Sequence, residues 1–194
     1  MQKVTVCLIT WKRQYNIPQI VESLLKWSFV GQICLLDNSR GKNYINYGRY
    51  LQAEKAEYDL IYTQDDDCII NNLGDVYSKF IENTDILTHS GTAEYQGQIL
   101  KHTYGEHQMA MAGWGMFFSR PMLGVLKRYT DKFGEDYCFY RETDRIFSLL
   151  LNKHHNFVLG DIMNLKGKDD QFALCNQTDH IKNKRLAIER ALSL

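Results

Sequence analysis

The first 70 residues alternate between two hydrophobic periodicities, and that alternation restricts the possible fold more than any other feature of the chain. "KVTVCLIT" is a β-branched, apolar run with no polar alternation, which predicts a strand buried on both faces, as in a parallel sheet. "IPQIVESLLKW" then sets Ile17, Ile20, Val21, Leu24 and Leu25 at helical spacing, with Pro18 in the first turn, where its missing N–H costs little, and Gly31 shortly after. "QICLLDNS" predicts a second strand, "YGRYLQAEKA" a second helix and "YDLIYTQDDD" a third strand. This order predicts a doubly wound α/β layer structure, in which ligands bind beyond the carboxyl ends of the strands. Those ends read "TWKR", "DNSR" and "QDDD", all polar and all expected to meet at one edge of the sheet.

Further on, "LGDVYSKFIENT" predicts a helix and "DILTHSG" a strand, while "GQILKHTYG" and "AGWGMFFSR" predict further strands of a mixed sheet. "PMLGVLKRYTDKF" and "TDRIFSLLLNKHH" read as helices, "NFVLGDIMNL" as a final strand and "NKRLAIERALSL" as an amphipathic helix. No repeat, low-complexity segment or linker interrupts the pattern. At 194 residues the chain suffices for one sizeable core and is short for two ordinary domains, so a single domain is expected over 1–194. An apolar fraction of 44% supports that core and argues against disorder.

Charge excludes one class of partner as a global effect. Lys plus Arg (23) balances Asp plus Glu (23), so net charge draws the chain towards neither nucleic acid nor anionic membrane. "MQKVTVCLITWKR" has too short an apolar run for a signal peptide, and no apolar stretch of about 18 residues occurs, so a soluble, cytoplasmic protein is expected. Cys7, Cys34, Cys68, Cys138 and Cys175 are odd in number and widely spaced, which predicts reduced thiols. Cys7 and Cys34, inside strand-like runs, read as small buried hydrophobes.

The chemistry concentrates in "TQDDDCII". Asp65, Asp66 and Asp67 repel one another unless a positive group joins them. If the third strand extends through them, Asp65 and Asp67 point one way, about 7 Å apart, and Asp66 the other. Hard carboxylate oxygens suit Mg²⁺ or Mn²⁺, which keep several waters and share substrate phosphates. An exposed acidic turn next to the helix "LGDVYSKF" is the plainer alternative.

In this order, "VTVCLITWKRQ", "ICLLDNS", "YDLIYTQDDDCI", "GWGMFFSR" and "ETDRIFSLLLNKHHNFVL" resemble a GT-A fold nucleotide-sugar-dependent glycosyltransferase with a DxD motif, similar to family-two-like and exostosin-like members. The resemblance covers nearly the whole chain and implies a single-domain, Rossmann-like, mixed but mainly parallel sheet flanked by helices. Residues 1–70 would form a nucleotide-binding half and 71–194 an acceptor and catalytic half. It implies a UDP-sugar donor, a hexosyl or pentosyl group transferred, and Mn²⁺ or Mg²⁺ held by Asp67 and Asp65, with His180 completing the metal sphere.

By the same match, Thr10 and Arg13 would flank the nucleotide, and Asp37 and Asn38 would contact base or ribose. Asn46 would cap the next helix, Gly48 would let backbone approach the ligand, and Arg49 would meet a phosphate. Asp66 would face a helix end or the donor sugar, and Gly113 and Trp114 would border that sugar. Two carboxylate pairs compete for the catalytic base: Glu135 with Asp136, and Glu142 with Asp144. Asp144, about a dozen residues ahead of the strand at Asn156, matches the family's spacing best, although Thr143 stands where the family often has Glu.

The acceptor would be a saccharide or a hydroxymethylated DNA base, as in viral DNA modification, with Lys182, Lys184 and Arg185 meeting a polyanion or forming a solvated helix face. A nucleotidyltransferase and a non-catalytic nucleotide-sugar-binding module are the alternatives. The first lacks its usual support, because "TWKRQYN" has no glycine.

Overall fold

The structure is a computed structural model of the chain, and it describes residues 1–94, 109–110, 112–151, 154–165 and 173–194. Among the described residues, six strands form the main sheet in the order β2-β1-β3-β6-β5-β7: β1 (Val4–Thr10), β2 (Val30–Asp37), β3 (Leu60–Gln64), β5 (Thr88–Gly91), β6 (Met116–Ser119) and β7 (Asn156–Leu159). The pairs β1–β2, β1–β3 and β5–β7 run parallel, whereas β6 is antiparallel to both β3 and β5. The sheet is therefore mixed and mainly parallel, as the alternation of elements requires.

The order of the first three strands determines where the helices lie. From β1 the chain crosses to β2 on one side and then returns past β1 to β3. Right-handed crossovers in opposite directions put α1 (Ile17–Leu25) and α2 (Gly48–Glu54) on opposite faces of the sheet. The two cores follow the strand alternation. Val4, Val6, Leu8, Tyr62 and Phe117 pack with Ile20 and Leu24 of α1. Cys7, Ile61, Met116 and Phe118 pack with Tyr50 and Ala53 of α2. The central strand β1 is buried along its whole length, which accounts for its unbroken apolar sequence.

Further helices among the described residues are α3 (Leu73–Glu82), α4 (Gly124–Phe133), α5 (Tyr137–Leu150) and α6 (His180–Leu192). Among the described residues no helix is long and apolar enough to cross a membrane.

Five expectations need correction. The third strand does not run through the acids: β3 stops at Gln64, Asp66 and Asp67 form a turn, and β4 (Cys68–Ile70) begins a separate two-stranded sheet. The final strand is broken at Gly160–Asp161 into β7 and β8 (Ile162–Asn164), and β8 pairs antiparallel with β4. The helix expected to begin near Thr143 begins at Tyr137, because Asp136 caps it by accepting the Phe139 N–H at 2.8 Å. Cys34 is only half-buried, since β2 is an edge strand, whereas Cys7 is buried. From "AGWGMFFSR", only Met116–Ser119 is strand, preceded by a 3-10 turn over Ala112–Trp114. The expected strand "GQILKHTYG" lies outside the described residues.

Candidate active site

The reversal of strand order at β1 opens a crevice beyond the carboxyl ends of β1 and β3, the place where doubly wound sheets bind ligands. A cleft of about 500 Å³ occupies it. Among the described residues its charged part comes from Lys12 and Arg13 after β1 and from Asp65, Asp66 and Asp67 after β3. The rest of its lining among the described residues is uncharged, including Ile9, Trp11, Asn43, Ile45, Tyr137 and Leu174. Exposed Trp11 and Tyr137 stand at the cleft.

The turn at the acids gives each carboxylate its own partners, and they differ from those an extended strand would select. Asp66 is clamped: it accepts from Thr10 Oγ1 at 2.8 Å and Arg13 Nη1 at 2.8 Å, and its backbone carbonyl accepts from Asn16 Nδ2 at 2.8 Å. Asp67 shares the same guanidinium, with Oδ2 at 3.6 Å from Arg13 Nη1. Asp65 turns elsewhere and accepts from Arg49 Nη2 at 2.6 Å. So Asp66 and Asp67 converge on Arg13 while Asp65 stands apart, the reverse of the pairing of Asp65 with Asp67. The crowding that the sequence makes conspicuous is relieved by two guanidinium groups, and charge-assisted hydrogen bonds of this kind are the strong ones.

Asp65 is held from the other side by backbone. Its N–H donates to the Gly113 carbonyl at 3.0 Å, and a Cβ on Gly113 would lie 2.3 Å from Asp65 Oδ2. Gly113 therefore has no side chain because Asp65 needs the space, and it reaches the site through that acid. Trp114 packs partly buried against the core and is not among the cleft-lining residues.

Arg49 is not among the cleft-lining residues. Its side chain is fully buried, bonded to Asp65 and 3.7 Å from Asp144 Oδ2, and the hydroxyl of Tyr50 donates to Asp144 Oδ1 at 2.7 Å. Burial alone would lower the pKa of Arg49, but the carboxylates of Asp144 and Asp65 raise it. Burial pushes the Asp144 carboxyl above the ordinary carboxylate range, with Arg49 opposing and Asp65 adding to the rise. About a fifth of the Asp144 side chain is exposed, yet it does not line the cleft.

The other candidate acids are further removed. Glu142 is buried between Arg141 (3.4 Å) and Arg145 (3.2 Å), at a kink with non-helical φ −107° and ψ 17°. Asp136 is the helix cap and pairs with Arg190 at 2.7 Å. Glu135 accepts from the Tyr140 hydroxyl at 3.0 Å on the exposed surface. Among the described residues, the carboxylates lining the cleft are those of Asp65, Asp66 and Asp67.

Asp37 and Asn38 also have structural duties. Asp37 Oδ1 accepts from the Ser39 N–H and hydroxyl and from Gln14, which hold its carboxyl below the usual range. Buried Asn38 uses both ends of its amide on the following loop, donating to the Ile45 carbonyl at 3.0 Å and accepting the Tyr44 N–H at 3.0 Å. Asn46 does not cap α2; it donates to the Arg141 carbonyl at 2.7 Å. Gly48 serves packing, since a Cβ there would meet Leu36 Cδ2 at 2.6 Å.

His180 opens α6 with Nδ1 at 3.5 Å from Arg141 Nη2, and burial lowers its pKa. It is not gathered with the aspartates: among the described residues no three His, Cys, Asp or Glu side chains form a metal-holding cluster. Of the basic trio, burial lowers the pKa of Lys184. Lys182, Lys184 and Arg185 all lie on α6, outside the cleft lining.

Arg141 is a residue the sequence did not single out. Nearly fully buried, it donates to Gln177 Oε1 at 2.6 Å and the Leu174 carbonyl at 2.7 Å, fastening the segment that forms one cleft wall. Asn16 and Tyr50 were equally silent, because their partners lie 50 and 94 residues away.

Two solved structures share this architecture. Glucosyl-3-phosphoglycerate synthase from Mycobacterium tuberculosis, in complex with Mg²⁺ and uridine diphosphate, superposes with a TM-score of 0.55 at 11% identity, over 96% of this chain and 79% of its own. The glycosyltransferase GlyE of Streptococcus pneumoniae TIGR4 superposes with a TM-score of 0.51 at 13% identity, over 99% of this chain and 60% of its own. No protein-family model and no characterised protein matches the sequence. At such identities the likeness is one of fold: a GT-A, Rossmann-like α/β architecture.

Proposed function

We propose that the protein is a cation-dependent glycosyltransferase that binds a nucleotide-sugar donor, UDP-linked, in the cleft beyond β1 and β3. The observation that carries this reading is the meeting of Asp65, Asp66 and Asp67 with Lys12 and Arg13 at the topological switch point, in a fold shared with glycosyltransferases. The donor type fits Mg²⁺ or Mn²⁺, since its oxygens are hard carboxylates; the Arg13 guanidinium that now joins Asp66 and Asp67 would have to yield one of them to the ion. Asp67 would hold the ion, with water and substrate phosphate completing its shell. When bound, it would neutralise charge on the departing diphosphate.

The chain's own residues do the rest. Arg13, kept in place by Asp66, and Lys12 present positive charge to the diphosphate. Thr10, through the Asp66 carboxylate, and Asn16, through its backbone carbonyl, hold Asp66 in that pairing. Arg49 holds Asp65 at the floor, and Asp144 serves as its counter-ion behind the cleft. The acceptor's proton then falls to a cleft-lining carboxylate or to the leaving diphosphate.

Purified protein with UDP-glucose and Mn²⁺ should release UDP slowly, and UDP with Mg²⁺ should raise its melting temperature. Asp67→Ala should abolish both effects. Unchanged UDP release and an unchanged cation-dependent shift in that variant would sink the assignment. Pyrophosphate release from UTP, with no UDP from any nucleotide sugar, would favour a nucleotidyltransferase instead. For the acceptor, salt-sensitive binding to duplex DNA would point to a hydroxymethylated base and its absence to a saccharide.

A further inference from the structure

The loop between β2 and α2 contains a backbone conformation that its residue disfavours. Ile45 has φ 49°, the sole positive φ among the described non-glycine residues. In this left-handed region a side chain crowds the following carbonyl, and a β-branched one does so most. Two asparagines hold it there. The Ile45 N–H donates to Asn43 Oδ1 at 2.8 Å, and its carbonyl accepts from Asn38 Nδ2 at 3.0 Å. A third, Asn46, anchors the next residue to the Arg141 carbonyl at 2.7 Å. Packing does not explain the arrangement, because Ile45 is half-buried, outside the core, and lines the cleft. Strain persists where the surroundings over-determine it, and it concentrates at ligand clamps.

The cleft also offers a division of labour. Its charged residues suit a diphosphate and cation, whereas Ile45 joins Ile9, Trp11, Tyr137 and Leu174 in offering apolar surface. We infer that Ile45 is a specificity-determining residue whose constrained backbone presents an apolar wall to the nucleoside part of the ligand. This rests on the nucleotide-sugar reading above.

The test compares wild type, Ile45→Asn and Ile45→Val in calorimetric titrations with uridine, UDP plus Mg²⁺ and pyrophosphate plus Mg²⁺, alongside melting temperatures. Asn tolerates the left-handed region, so Ile45→Asn should melt roughly 2–6 °C higher. It should also bind uridine and UDP more weakly by the same factor, about 10-fold, the worth of a lost apolar contact. Pyrophosphate affinity should stay unchanged, and Ile45→Val should follow wild type. Unaltered UDP affinity in Ile45→Asn, a parallel fall in pyrophosphate affinity, or a lower melting temperature would each overturn this inference alone. Wild-type protein that binds neither uridine nor UDP would overturn the nucleotide reading and this inference with it.

Discussion

Replacing Arg49 by Met should remove the buried cation that Asp65 and Asp144 share. The Arg49 side chain is 0% exposed, against 19% for Asp144 and 39% for Asp65. Asp65 can regain water, so its unpaired charge costs little. Asp144 cannot do so to the same extent, and breaking a buried pair by deleting one partner costs about 3–5 kcal/mol. With solvent reaching part of Asp144, the low end, about 3 kcal/mol, is expected, which for a domain of this size lowers the melting temperature by roughly 6–12 °C.

Two further readouts separate this argument from loss of packing. Adding Asp144→Asn should recover about 1–2 kcal/mol, because the stranded charge is gone. Lowering the pH should also narrow the deficit. The folded-state pKa of Asp144 is raised by burial, so its favourable contribution is complete below the ordinary aspartate value and is lost as pH rises through the folded value. Without Arg49 that folded value moves higher still. Urea unfolding at pH 7.5 and pH 5 would measure both effects. A loss below about 1 kcal/mol, or a deficit that neither Asn nor acid reduces, would refute the idea that Arg49 neutralises Asp144.

Two other outcomes are expected. Gly113→Ala places a methyl group 2.3 Å from Asp65 Oδ2, so that flexible side chain should swing away and the cation-dependent melting shift with UDP should shrink while the fold persists; an unchanged shift would remove Asp65 from the site. Burial, reinforced by His155, holds His89 down at about 3, and burial with His154 holds His155 at about 4. Stability from these two is therefore complete above the ordinary histidine value and is lost as pH falls from about 6.5 towards 3–4; at pH 5 each costs about 2 kcal/mol. His89→Leu should flatten the acid limb of a stability–pH profile by one such increment, and an unaltered limb would contradict it.

The chain's own sequence determined the order of elements and the edge of the sheet that carries the polar ends. Period-3.6 helices alternating with unbroken apolar strands leave few arrangements, and parallel pairing brings the residues after β1, β2 and β3 to one edge whatever their chemistry. That is why Thr10, Arg13 and the three aspartates were legible as neighbours in the string alone. Which acid meets which cation was not legible. It depends on a turn that begins after Gln64, where an extended strand was an equally good reading of "TQDDDCII". It depends also on partners brought together only by packing: Arg49 reaches Asp65 across 16 residues, Tyr50 reaches Asp144 across 94 and Thr10 reaches Asp66 across 56. The spacing that favoured Asp144 as a base carries no information about the buried arginine between it and the cleft. Local periodicity specifies what each segment becomes, because it reports only which side of an element meets the core. The identity of a buried charge's partner is decided by the assembled interior, where desolvation forces every carboxylate to find a cation or a hydrogen bond.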